Sequence, residues 1–193
     1  MNRSFRYILF LFILAFPCMI SAQSSIPDEM TEGPWFDNQP HHLYEHTITM
    51  IFGGGQGNQA NYNFAPITTI AYKTADQVRE QIKSDKSIDQ EEADGVLEFL
   101  QQSAPGGIIF LYVTRYSERK ANPGYYYASI YQNDKTLIWK GKLKYQPPNL
   151  PDGKGWWNYI EIPIPKEIKA PFTFYLNSNY EKSIQPNFGF KVE

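Results

Sequence analysis

Between Thr136 and Tyr145 apolar residues and lysines alternate. Leu137, Trp139, Leu143 and Tyr145 share one parity, and Lys140, Lys142 and Lys144 share the other. A repeat of two with a wet lysine face predicts a half-buried strand and argues against a helix. The segment before it, Tyr125–Tyr131, is separated from it by the polar run Gln132-Asn133-Asp134-Lys135, so the two form a predicted hairpin. Ile108–Tyr116 is apolar on both parities, as a central strand should be. Leu43–Phe52, Ile67–Tyr72, Trp156–Ile164, Phe172–Asn177 and Phe188–Val192 read as further strands, dense in β-branched and aromatic residues. A proline- and glycine-rich loop, Gln146–Gly155, precedes Trp156.

The pattern changes once. Thr74-Ala75-Asp76-Gln77 has capping-box spacing, with Val78 and Ile82 one turn apart behind it. Ser87-Ile88-Asp89-Gln90 repeats that start signal. Ala93, Val96, Leu97 and Leu100 then form one apolar stripe, with Glu91, Glu92 and Asp94 near the amino end, where the helix dipole favours acids. Ala104-Pro105-Gly106-Gly107 ends the helical run. These elements predict a mainly β protein: an antiparallel sandwich or jelly-roll-like domain over 41–193 with a helical insertion at about 75–103. The alternative is an α+β arrangement, with a strand–helix–strand crossover around the insertion.

The amino terminus reads differently. Arg3 and Arg6 precede the mostly apolar run Tyr7–Ile20, and Ile20-Ser21-Ala22 offers small residues before Gln23. That run is shorter than a membrane-spanning helix needs, and Pro17 interrupts it, so 1–22 is expected to be a cleaved signal peptide. A lipid-attachment role for Cys18 is disfavoured by Phe16 and Pro17 ahead of it. Residues 23–40, rich in serine and proline, are expected as an extended leader with Trp35 and Phe36 tucked against the domain. The expected location is exported: periplasmic, outer-surface or secreted. Cys18 is the sole cysteine, so cleavage would leave a chain without a disulfide or a thiolate nucleophile. The core would then rest on packing, for which 13 Phe, 14 Tyr and 4 Trp supply material.

Charge adds little. There are 18 basic and 20 acidic residues, a net charge of −2, and no basic stripe of the kind nucleic acid requires. Gly55-Gln56-Gly57-Asn58-Gln59-Ala60 has the spacing of a dinucleotide-binding turn. Such a turn must open a helix whose amino end holds the phosphates. Here Asn61-Tyr62-Asn63-Phe64-Ala65-Pro66 follows, poor in helix formers and ending in proline, so no cofactor is expected. His41, His42 and His46 would need a helix to share a metal. On a strand, positions four apart stand about 13 Å from each other, so no metal site is expected and solvated histidines are the reading.

No serine elbow is present, and the acids Asp37, Glu45, Glu161 and Glu167 carry no motif. The aromatic runs Tyr125-Tyr126-Tyr127 and Trp156-Trp157-Asn158-Tyr159 are more suggestive, because each puts large rings on both faces of a strand. Rings left outside the core suit the flat apolar faces of sugars. The expected ligand residues are Trp156, Trp157, Asn158, Tyr126 and Lys140, with Asp152 a further hydrogen-bonding candidate. The reading is a non-enzymatic exported module that binds a glycan or another envelope component. A protein-interaction module is the second class, and a carboxylate-dependent hydrolase the weakest.

Overall fold

The computed structural model describes residues 26–53, 66–133, 135–149, 155–178 and 187–193. The glycine-rich stretch Gly55–Ala60, Asp152, Cys18 and the expected signal peptide lie outside the described residues. The protein is mainly β, with two antiparallel sheets and a helical insertion.

Nine strands occur among the described residues: β1 Pro40–Leu43, β2 His46–Phe52, β3 Thr68–Lys73, β4 Ile108–Arg115, β5 Tyr126–Gln132, β6 Leu137–Lys142, β7 Trp156–Pro163, β8 Phe172–Ser178 and β9 Phe188–Val192. The larger sheet has the order β1-β2-β9-β8-β5-β6, and the smaller has β3-β4-β7. β4 is the central strand of the small sheet, and all eight of its residues are buried: the apolar run Ile108–Val113, then Thr114 and Arg115. Every pairing is antiparallel, including β3 with β4. The insertion therefore joins neighbouring antiparallel strands, and there is no parallel crossover around it.

Period-two burial sorts the faces. On the large sheet Phe172, Phe174 and Leu176 from β8, Phe190 and Val192 from β9, Ile48 and Met50 from β2, and Ala128 and Ile130 from β5 point inward. Opposite them stand Ile70 and Tyr72, Ile109, Leu111 and Val113, and Ile160 and Ile162. Tyr72 meets Phe172 edge to face at 5.0 Å, which joins the two layers. The hairpin β5–β6 forms as predicted, and Lys140 and Lys142 lie opposite Ser129 and Tyr127 on the outward face. A bulge at Ile130/Tyr131 shifts Leu137 to the outward side, against Tyr131, and Tyr145 beyond the strand is exposed too. The expected inward set therefore keeps Trp139 and Leu143 and loses Leu137 and Tyr145.

Helix α1 spans Asp28–Thr31, α2 Ala75–Ser84, α3 Gln90–Ser103 and α4 Glu118–Ala121, followed by a single 3₁₀ turn, Pro123–Tyr125. The Thr74 capping box is complete: its hydroxyl accepts from Gln77 N–H, and Gln77 reaches back to the Thr74 N–H. The second start lies two residues later than the Ser87 signal. Asp89 caps α3 by accepting from Glu92 N–H, while Ser87 bonds Asp85. A carboxylate at this position caps and also answers the helix dipole, so it wins over a serine in the preceding turn. Gly107, at φ 87°, closes the insertion where a Cβ would collide with the Lys73 carbonyl.

Two sequence expectations change at the amino end. Leu43–Phe52 is broken by a two-residue turn, Tyr44-Glu45, with both residues at positive φ, so it becomes the hairpin β1–β2. No glycine or asparagine marks that turn. Contacts hold it instead: Gln77 Nε2 donates to Tyr44 O and Glu45 Oε2, and Lys73 Nζ stands 4.0 Å above the Tyr44 ring. Residues 26–40 reach the core through two side chains, Met30 and Trp35, the latter stacked on His41 at 3.9 Å, while Phe36 and the four residues after it are exposed. His41 also bonds Glu29, His46 lies against Tyr72, and His42 is exposed and shares a hydrogen bond with the Thr47 hydroxyl, so only one of the three faces solvent.

Arg115, at the end of β4, is 7% exposed. Its Nε donates to the Tyr126 hydroxyl, Nη1 to the carbonyls of Ile67 and Thr114, and Nη2 to Thr68 Oγ1, all within 2.6–3.0 Å. The guanidinium also lies 5.7 Å from the Tyr126 ring and 5.3 Å from Phe188. Arg115→Met leaves those acceptors without their donor, and Arg115→Lys cannot fork to reach them. Each substitution is expected to lower stability by about 2–4 kcal/mol in urea unfolding. An unchanged midpoint for both would show that the arginine is incidental.

Candidate functional site

The aromatic residues divide between the core and the outer face of the small sheet. Along β7, Trp157, Tyr159 and Glu161 share the outward parity, while Trp156, Asn158 and Ile160 point the other way. Register places Trp157 opposite Thr114, Tyr159 opposite Tyr112 and Glu161 opposite Phe110, with Thr69, Ala71 and Lys73 of β3 completing the face. The rings touch in sequence. Trp157 meets Tyr112 at 6.2 Å, Phe110 stacks with Tyr159 at 5.9 Å, and Tyr44 from the β1–β2 turn meets Phe110 at 5.9 Å. Phe110 and Tyr112 are buried beneath this layer, whereas Trp157, Tyr159, Glu161 and Tyr44 are half-buried.

Two charged groups reach over Phe110 from opposite strands. Lys73 Nζ lies 5.7 Å from the Phe110 centroid and donates to Gln81 Oε1 at 2.6 Å. Glu161 approaches from β7, and its Oε1 is buried with no hydrogen-bond partner among the described residues. Burial raises the Glu161 carboxyl to about 7 from 4.5, and the charge on Lys73 opposes that rise. Burial likewise lowers the Lys73 ammonium below its usual value, against the pull of Glu161. The pair is coupled through space but is not an ion pair. An acid near neutrality beside aromatic rings can donate or accept a hydrogen bond, depending on pH.

The five residues expected to bind ligand are not brought together. Trp157 stands on this face. Trp156 is half-buried on the inward parity, opposite Arg115. Asn158 is fully buried, and its Nδ2 donates to Gln146 O, which ties the β6–β7 connection to β7. Tyr126 is 4% exposed, its hydroxyl accepting from Arg115 and donating to Lys120 O. Lys140 is exposed on the outer face of the other sheet. Sequence reasoning passed over Tyr44, Phe110 and Lys73, whose places depend on pairing between distant strands. Parity along β7 did signal that Tyr159 and Glu161 accompany Trp157.

Among the described residues no three His, Cys, Asp or Glu side chains gather as metal ligands. No helix among them is long and apolar enough to cross a membrane. Comparison with protein-family models, with curated proteins and with solved structures finds no match to this chain.

Because the folded protein holds the Glu161 proton more tightly than the unfolded chain, that carboxyl favours folding below about pH 4.5 and loses its contribution as pH rises to about 7. Glu161→Gln should remove this slope. Thermal or urea unfolding at pH 8 is expected to show the variant more stable than wild type by about 1–2 kcal/mol, with the gap closing near pH 4.5. Parallel stability curves across that range would mean the carboxyl is solvated.

Proposed function

We propose that the protein is a non-enzymatic glycan-binding module that acts outside the cytoplasm, with the outer face of β3-β4-β7 as its binding surface. The observation that carries this reading is the Glu161 carboxyl oxygen, buried without a hydrogen-bond partner among the described residues beside a run of aromatic rings. Such a group costs stability unless a ligand answers it. Sugar rings present the matching chemistry: apolar C–H faces for Trp157 and Tyr159, and hydroxyls for Glu161 and Lys73.

Binding is favoured over hydrolysis because this face of the three strands carries one carboxyl group, Glu161. Two-carboxylate glycoside cleavage needs a second acid within about 5–10 Å across the scissile bond. The apparent signal sequence in 1–22 supports action at the cell envelope or beyond.

A glycan array identifies the best polysaccharide, and affinity electrophoresis in that polymer then reads affinity. Trp157→Ala is expected to weaken retention by about 10- to 100-fold, since a stacked ring contributes roughly 1–3 kcal/mol, while the variant stays folded by circular dichroism with a lowered thermal midpoint, because the half-buried ring packs on Tyr112. A folded Trp157→Ala variant that migrates like wild type would refute the reading, as would an array on which no glycan is retained.

A further inference from the structure

A second aromatic surface lies on the opposite side of the molecule, on the outward face of the six-stranded sheet. Register sets Lys140, Ser129, Tyr175, Gly189 and Phe52 in one row across β6, β5, β8, β9 and β2. The rows beside it hold Lys142, Tyr127 and Asn177 on one side and Tyr131, Thr173 and Lys191 on the other. Phe52 would point into the core by parity with Ile48 and Met50. A bulge between Met50 and Phe52 turns it outward. Its ring then lies on the main chain of Gly189, where a Cβ would strike it. Phe52 and Tyr175 are near parallel, 21° apart in plane and 5.9 Å between centroids, and Tyr131 meets Tyr175 edge-on at 5.6 Å. Tyr127 is exposed beside them.

The charge on this face has one sign to spare. Its strands carry Lys140, Lys142 and Lys191, and Lys191 bonds the adjacent Glu193 at 2.6 Å. Lys140 and Lys142 have no carboxylate partner among the described residues. They stand two residues apart on an edge strand, about 7 Å. The ring row runs across the strands and ends at Lys140, with Lys142 beside it in the next row, so stacking surfaces adjoin cations, as a polymer of sugar rings and carboxylates requires. We propose that this face binds an acidic polysaccharide, with sugar rings stacked on Phe52 and Tyr175 and uronate carboxylates paired with Lys140 and Lys142. This surface does not depend on Trp157 or Glu161, so it stands apart from the reading above.

The test is affinity electrophoresis of the full exported chain through gels containing polygalacturonate, its neutral methyl ester, or neither. The chain should be retarded by polygalacturonate, less so at high salt, and much less by the ester. Lys140→Glu with Lys142→Glu should weaken that retardation by about tenfold or more. Tyr175→Ala should weaken it as well, and Trp157→Ala should leave it intact. Both lysines are exposed, so circular dichroism and the thermal midpoint of the charge-reversed variant should match wild type. The proposal is overturned if polygalacturonate does not retard the wild type, if charge reversal changes nothing, or if the methyl ester retards equally. Loss of retardation in Trp157→Ala alone would assign the effect to the small sheet, and stronger binding to a single-stranded DNA oligonucleotide would assign the face to another ligand. Either result overturns the proposal as well.

Discussion

Arg115 sits inside the core with a charge that no carboxylate among the described residues neutralises. A cation taken out of water is costly, and several kcal/mol of desolvation must be offset locally. The offset comes from four hydrogen bonds and two ring faces, contributed by Ile67, Thr68, Thr114, Tyr126 and Phe188. Those residues belong to β3 and its approach, to β4, to β5 and to β9. One side chain therefore links the small sheet to the large one. The Tyr126 hydroxyl extends the brace by donating to Lys120 O at the end of α4. The guanidinium can serve all these acceptors because it is a planar fork with five donors.

With the layers fixed in this way, the remaining aromatic residues can only be core or outer face. Period two sends Phe172, Phe174, Phe190 and Tyr72 inward, where they fill the space between the sheets. It sends Trp157 and Tyr159 to one outer face and Tyr131, Tyr175 and Tyr127 to the other. A fold with two layers leaves two outer faces, and both carry rings together with charged groups. The small-sheet face holds a carboxyl under strain from burial. The large-sheet face holds cations without carboxylate partners. The two outer faces therefore differ in chemistry, with a coupled carboxyl and ammonium on one and lysines alone on the other.

These aromatic faces ask little of loops. On the small sheet, the rings are carried by β4 and β7, whose neighbours in the ladder hold their spacing, and Tyr44 is clamped by Gln77 and Lys73. Rings held in this way have little conformational freedom left to lose. The Glu161 oxygen, buried without a hydrogen-bond partner among the described residues, costs stability.

The sequence by itself determined the strands from β3 onward, the capping box at Thr74, the apolar stripe of α3 and the lysine face of β6, because each rests on a local period or a local hydrogen bond. It also determined that rings would face both ways along β7. What it did not contain was decided by the tertiary structure. The turn at Tyr44-Glu45 carries no local turn signal and is held by contacts from α2 and β3. The bulges that move Leu137 and Phe52 to the outside depend on partner strands distant in sequence. The grouping of Trp157 with Tyr112, Phe110, Tyr44 and Glu161, and the burial of Tyr126 and Asn158, follow from strand register. Register is a property of pairs of strands, so no single stretch of chain can encode which rings meet.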